Sequence, residues 1–312
     1  MNIKFKNNIK DIILIIGPTS SGKTDLSIYL KDIFYNHIEL ISVDSALIYR
    51  DMNIGTDKPD KYTLLKFPYK LINIKDPSQS CSVYEFCNYL YYEIDNILKL
   101  NKIPILVGGT MFYFKYFLNE FSIFNKNDFI KENIISYIKK YNINNIYDFI
   151  KINKNININI NDYNRIIRYM EICLSNSNKK LIKFKYNINK FFILKEKRIL
   201  KKKIKFRFYK MLDIGLENEV KCLFDRKDLN INMQSIKCIG YNEMWMYIDN
   251  KISYKEMINL SINSTINLLN NQFSYIKKWN DCIFIDNDIL SKKILVNKII
   301  EIINKKINLR LK

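Results

Sequence analysis

The sequence predicts an α/β fold: a parallel sheet flanked by helices, with an all-helical domain inserted into it. Three observations predict it. Apolar runs of strand length alternate with helix-length amphipathic segments through the first third of the chain, and a glycine-rich loop joins the first run to the first helix. All five prolines (Pro18, Pro59, Pro68, Pro77 and Pro104) lie in that same third, so the turn-rich part of the chain ends there.

Taken in order, Asp11 to Ile16 reads as a short buried strand, Gly22 to Phe34 as a helix and Glu39 to Val43 as a second strand. Tyr84 to Leu100 has helical spacing, and Ile103 to Val107 is a third strand. Strand, helix, strand, helix, strand implies a parallel sheet covered on both faces. From about 115 to 200 the pattern is helical, broken by asparagine-rich connections such as INKNINININD. From Lys201 to Lys278 long amphipathic helices follow, separated by turns at Gly215 and Gly240. The expected domains are a core of residues 1–115 and 200–312, with residues 116–199 as the helical insertion, and no internal repeat stands out.

With 48% hydrophobic and 26% charged positions, the 312 residues can bury a core and are not a disordered chain. No apolar run approaches the ~20 residues that cross a bilayer. The basic start MNIKFKNNIK mimics a signal peptide, but the apolar run behind it is too brief, so a cytoplasmic protein without a membrane partner is expected. A formal net charge of +20 points to a polyanionic partner, nucleic acid above all, although a lysine-rich composition of the kind A- and T-rich codons produce supplies charge without any partner. Six cysteines without a CxxC pair, and a lone His37, speak against zinc sites and disulfide frameworks and leave a carboxylate as the expected general base.

The chain has seven glycines where average usage would give about twenty, so each marks a place that a side chain does not suit. Gly17, Pro18, Thr19, Ser20, Ser21, Gly22, Lys23 and Thr24 spell GPTSSGKT, a match to GxxxxGK[ST] between an apolar strand and a helix, which makes the sheet P-loop NTPase-like. There the loop amides can point at phosphate oxygens, Lys23 neutralises charge and the Thr24 hydroxyl can ligate Mg2+; an ordinary strand-to-helix turn is the plain alternative. The third strand ends as IPILVGGT with no acid to hold magnesium, unlike an ATP-hydrolysing motor, and Gly108, Gly109 and Thr110 can admit a ligand closely or simply make a turn. The second strand, ELISVD, delivers Asp44 and Ser45 to the edge where parallel sheets bind ligands, so Asp44 is either a general base or a helix-capping aspartate. IGTDKP, with Gly55 and Thr56, can close the same pocket or form a turn. Arg165 and Arg168 lie three apart on one helical face, suited to gripping phosphates or stacking on bases, with a solvated face as the alternative; Arg207, set among aromatics, is expected to be partly buried.

In this order GPTSSGKT, SVDSALIYRDMNIGTDKP, IPILVGGTMFYF, NDYNRIIRYMEI, RFYKMLDIGLENEV and SIKCIGYNEMW resemble the bacterial tRNA dimethylallyltransferases, the tRNA isopentenyltransferase or IPP transferase family. The likeness runs from Gly17 to Trp279. It implies transfer of a dimethylallyl group from dimethylallyl diphosphate to the exocyclic amine of the adenine 3′ of the anticodon, by a monomer whose inserted domain embraces the tRNA anticodon stem-loop. By the same resemblance Gly17 to Thr24 hold the diphosphate with Arg207 near it, and Lys23, Thr24 and Asp44 are catalytic. The implied tRNA contacts are Asp44, Ser45, Ala46, Leu47, Thr110, Asn164, Arg165, Ile166, Ile167, Arg168, Lys237, Cys238, Ile239, Gly240, Tyr241, Asn242, Gln272 and Lys277.

The chain departs from the family pattern in several places. No arginine lies between Asp51 and Asn164, where the family carries one early in the insertion, and Lys131 is its substitute, with poorer bidentate geometry. Asn242 and Asn271 stand at further arginine positions, so weaker tRNA affinity is expected. Rival functions are a P-loop small-molecule kinase binding ATP, an adenylate isopentenyltransferase, and a non-enzymatic nucleic-acid binder.

Overall fold

The computed structural model describes residues 10–118, 128–154, 158–174, 186–276, 279, 282–286 and 289–308. The chain divides into two compact units, residues 1–118 with 185–312, and residues 119–184. Among the described residues no helix is long and apolar enough to cross a membrane.

The larger unit begins with β1 (Lys10–Ile16), α1 (Lys23–Ile33), β2 (Ile38–Val43), α2 (Lys61–Lys66), β3 (Tyr69–Lys70), α3 (Val83–Lys99), β4 (Ile103–Gly108) and α4 (Met111–Leu118). β1 is buried at every position after its first, as a central parallel strand covered on both faces must be. Its side chains divide by parity: Ile12, Leu14 and Ile16 enter one core, Ile13 and Ile15 the other. The helices start at identifiable caps. The Asp60 carboxylate accepts the Thr63 N–H at 2.8 Å before α2, and the Ser82 hydroxyl accepts the Glu85 N–H at 3.1 Å before α3.

The smaller unit contains α5 (Asp128–Tyr141), α6 (Ile143–Lys154) and α7 (Tyr163–Leu174). Ile134, Ile138, Ile146, Ile150, Ile158, Ile166 and Ile167 form its own core, so an almost purely isoleucine cluster holds the three helices together.

The chain then re-enters the sheet as β5 (Tyr186–Ile193), followed by α8 (Lys197–Asp213), α9 (Leu216–Phe224), α10 (Tyr241–Ile248), α11 (Tyr254–Ile276), β6 (Ile283–Ile285) and α12 (Ile289–Asn308). β5 corrects the expected helical insertion of residues 116–199, because residues from 185 onward belong to the larger unit and begin with a strand of its sheet. It pairs in parallel with β1 over seven positions, from Lys10 beside Tyr186 to Ile16 beside Phe192. Only its last three residues are buried, and the polar Asn187, Asn189 and Lys190 in its first part hid a strand period that the apolar pattern alone could not supply. The short β3 and β6 escaped for lack of length.

Among the described residues the six strands are all parallel, in the order β3-β2-β4-β1-β5-β6. β4 lies between β1 and β2, which brings the carboxyl ends of these three strands to one edge of the sheet. α3 covers one face through Phe86, Leu90 and Ile94, together with Phe208 and Met211 of α8, and the second core holds Leu26 and Leu30 of α1 with Leu295 and Ile299 of α12. At the shared edge a Cβ on Gly108 would lie 2.1 Å from the Val43 carbonyl oxygen, so only glycine lets β4 and β2 approach as they do.

Candidate functional site

β1 ends at Ile16, and the next six residues turn into α1. Gly22 caps that helix with φ of 91°, a left-handed backbone that a side chain would strain. The turn leaves the first amides of α1 at the carboxyl edge of the sheet, the position at which helices bind anions. Above it opens a cavity of about 1050 Å³ lined by Thr19, Ser20, Gly22, Lys23 and Thr24 from the loop, Asp44 to Leu47 after β2, Gly108 to Thr110 after β4, Arg207 of α8 and Gln272 of α11. Three sequence-predicted motifs and two distant side chains therefore meet in one space.

The loop is braced from both sides. The Thr19 N–H donates to Gln272 Oε1 at 2.9 Å, and Gln272 Nε2 donates to the Gly109 carbonyl at 2.9 Å, so one amide locks the loop to the end of β4. Arg207 Nη2 donates to Thr19 Oγ1 at 2.8 Å, and Lys23 Nζ to the Pro18 carbonyl at 2.6 Å. The Ser20 and Ser21 hydroxyls are buried without a hydrogen-bond partner among the described residues, and of the two only Ser20 lines the cavity, where a polar ligand would meet it. Burial pulls the Lys23 ammonium down from 10.5 to about 8; the Asp44 and Asp57 carboxylates oppose that shift and Arg207 adds to it.

Asp44 Oδ1 accepts the N–H groups of Ala46 at 2.8 Å and Leu47 at 3.3 Å. Asp44 thus caps a turn, no helix following it, and that role occupies one oxygen only; Oδ2 has no hydrogen bond among the described residues. The Thr110 hydroxyl accepts the Ser45 N–H at 3.3 Å and ties the ends of β2 and β4 together. For a divalent cation the wall offers the Thr24 hydroxyl and the Asp44 carboxylate, with no cluster of three His, Cys, Asp or Glu among the described residues. That donor set fits an ion held chiefly by phosphate oxygens and water, the usual way of binding magnesium.

Other expected contacts sort by exposure. Lys237, Cys238, Ile239 and Gly240 line the cavity. Tyr241 is fully buried, its hydroxyl donating to Glu219 Oε1 at 2.5 Å, and Gln272 is buried with both amide atoms engaged, so these two side chains brace the site instead of facing RNA. Ile166 and Ile167 belong to the core of the smaller unit, which leaves their side chains no access to a ligand. On the same helix Asn164 and Arg165 are exposed, and Arg168 pairs with Glu171 at 2.7 Å. Asn242 stands in the first turn of α10 outside the cavity wall, Lys131 is exposed on α5, and Lys277 lies outside the described residues.

Two residues escaped the sequence reading. Glu219 accepts the N–H groups of Asn53, Ile54 and Gly55 at 2.8 to 3.1 Å, clamping the loop before Thr56 and Asp57. Asp57 Oδ2 accepts from Arg207 Nη1 at 2.7 Å. Both lie inside motifs that carry the family resemblance, yet nothing local assigned either a role, because the backbone that Glu219 clamps and the arginine that Asp57 meets lie 150 or more residues away.

A parallel sheet whose central strand opens into a braced phosphate loop, with a carboxylate at the end of the strand two places along, defines a P-loop-like α/β protein. Within that class, the family model described as IPP transferase matches residues 47–279, and the chain belongs to this family. It is 43% identical over 301 residues to the tRNA dimethylallyltransferase of Buchnera aphidicola subsp. Acyrthosiphon pisum (strain APS), covering 91% of this chain and 94% of that one. It is 38% identical over 316 residues to that of Blochmanniella floridana, covering 96% and 97%. The full-length tRNA isopentenylpyrophosphate transferase of Bacillus halodurans matches in structure with a TM-score of 0.70 and 28% identity, over 97% of this chain and all of that chain.

Proposed function

We infer that the protein is a tRNA dimethylallyltransferase: it moves the dimethylallyl group of dimethylallyl diphosphate to the exocyclic amine of the adenine immediately 3′ of the anticodon and releases diphosphate. The observation that carries this reading is a phosphate-binding loop and a half-engaged carboxylate facing one cavity, in a chain of this family. An adenine amine is a poor nucleophile because its lone pair is delocalised into the ring. Catalysis must therefore help the leaving group depart and remove a proton. The carbon–oxygen bond to diphosphate breaks and the nitrogen–carbon bond forms.

Lys23, Arg207 and the amides of Ser20 to Thr24 stabilise charge growing on the departing diphosphate, and Asp44 Oδ2 takes the amine proton. Magnesium held on Thr24 and the phosphate oxygens would add Lewis-acid neutralisation of the same charge. Water must be kept from the reacting carbon, because it would hydrolyse a partly cationic allyl group. For the adenine to enter it must swing out of the anticodon loop, a movement that costs least where the base is unpaired. Lys237 to Gly240 at the cavity, with Asn164, Arg165 and Arg168 on the inserted unit, are the proposed RNA contacts, consistent with a net charge of +20.

The test is incubation with labelled dimethylallyl diphosphate and an unmodified tRNA transcript, followed by nucleoside digestion. Label should appear as prenylated adenosine at the position next to the anticodon. Unlabelled tRNA, with ATP consumed in the presence of a small metabolite, would establish the kinase reading instead.

A further inference from the structure

Arg207 is held by two partners from the protein itself. One guanidinium nitrogen is given to Thr19 of the phosphate loop and the other, at 2.7 Å, to the carboxylate of Asp57. Exposed ion pairs are often accidents of flexible side chains. This one is built. Asp57 sits on backbone fixed by the Glu219 clamp on residues 53–55, its own N–H donates to the Ile54 carbonyl at 3.0 Å, and the Thr56 hydroxyl donates to the Met52 carbonyl at 2.8 Å. Asp57 itself takes the left-handed conformation, φ 57°, which aspartate tolerates better than most residues. A rigid loop thus presents a carboxylate to the one arginine that, among the described residues, reaches the phosphate loop.

Electrostatically Asp57 opposes anion binding at the guanidinium it holds. The cavity lining carries Lys202, Lys203, Lys210 and Lys237 besides Lys23 and Arg207, against Asp25, Asp44 and Asp57, so it is positive on balance, and the Asp57 carboxylate offsets that charge where Arg207 meets the loop. A diphosphate brings about three negative charges and needs the guanidinium face that Asp57 occupies.

We propose that Asp57 is a resident counter-ion of the diphosphate subsite, holding Arg207 in the free protein and surrendering it to the entering phosphate, so that it weakens the hold on both donor and released diphosphate. It is a positioning residue outside the chemical step. The inference rests on the loop being the diphosphate site.

Calorimetric titration with inorganic pyrophosphate, in the presence of magnesium, tests it on the full chain. Asp57→Asn, which keeps the shape and removes the charge, should bind pyrophosphate about three- to tenfold more tightly than the unaltered protein, and Asp57→Glu should not. Asp57→Gly, which accepts the left-handed backbone, should move in the same direction as Asp57→Asn. In an Arg207→Gln background the gain from Asp57→Asn should shrink below about twofold, because no guanidinium remains to be released. A carboxylate that merely buttressed Arg207 would give the opposite sign: equal or weaker binding by Asp57→Asn overturns the proposal. Lys23→Met separates the two levels. If it abolishes pyrophosphate binding while Asp57→Asn changes nothing, the subsite stands and the counter-ion falls. Pyrophosphate ignoring the unaltered protein and Lys23→Met alike removes the diphosphate reading and the counter-ion with it.

Discussion

Replacing Gln272 by leucine keeps the volume of the side chain and removes both of its hydrogen bonds. The Thr19 N–H and the Gly109 carbonyl, each held at 2.9 Å, would then lose their partner at a residue only 6% exposed. An unsatisfied buried polar group costs about 1 to 3 kcal/mol. Thr19 borders the cavity and is partly open to water, so the sum falls near 2 to 4 kcal/mol rather than at the upper limit. With a urea m-value of about 3 kcal/mol/M, the unfolding midpoint should drop by about 1 M. Because Thr19 also receives Arg207, pyrophosphate affinity should weaken in the same variant, by about tenfold for ~1.4 kcal/mol of displaced loop. Urea titration followed by circular dichroism and calorimetry with pyrophosphate read the two effects separately. A midpoint within about 0.2 M of the unaltered protein, with unchanged affinity, would refute the brace.

Asp44→Asn preserves an oxygen for the Ala46 and Leu47 amides, so it removes only the proton acceptor; turnover should fall by about 10²- to 10⁴-fold while tRNA affinity in a filter-binding assay stays within about twofold. Lys23, with a folded pKa near 8 against 10.5 when free, gives a pH signature in two parts. Pyrophosphate affinity should decline above pH 8 as the ammonium is lost, by at most about tenfold per pH unit, and Lys23→Met should flatten that profile. Since the folded state binds this proton less well, the same group costs stability below pH 8, and that cost is relieved between pH 8 and 10.5, which urea midpoints across that window measure. Gly108→Ala places a Cβ 2.1 Å from the Val43 carbonyl and forces β2 and β4 apart; a loss of at least about 3 kcal/mol and a low yield of folded protein are expected, and an alanine variant that melts normally would show that the edge can yield.

The phosphate loop, the three strands that carry Gly17, Asp44 and Thr110, and the helices α1 and α3 were legible in the sequence because each is written in a short window. Buried parallel strands need unbroken apolar runs, a left-handed turn needs glycine, and an amphipathic helix repeats every three to four residues. From those local demands alone the chain determined which groups stand at the carboxyl edge of its sheet. What the sequence could not settle is which distant side chains complete that edge. Gln272 meets Thr19 across 253 residues, Glu219 clamps a loop 164 to 166 residues before it, and Asp57 takes Arg207 across 150. Tyr241 and Ile166 lie in motifs shared with the family, and packing turned both inward. β5 went unread for a related reason: its first residues are polar and half-exposed, and pairing with β1 rather than apolar content makes it a strand. Local periodicity is a property of neighbours along the chain, whereas burial and partnership belong to surfaces that exist only once the layers have closed.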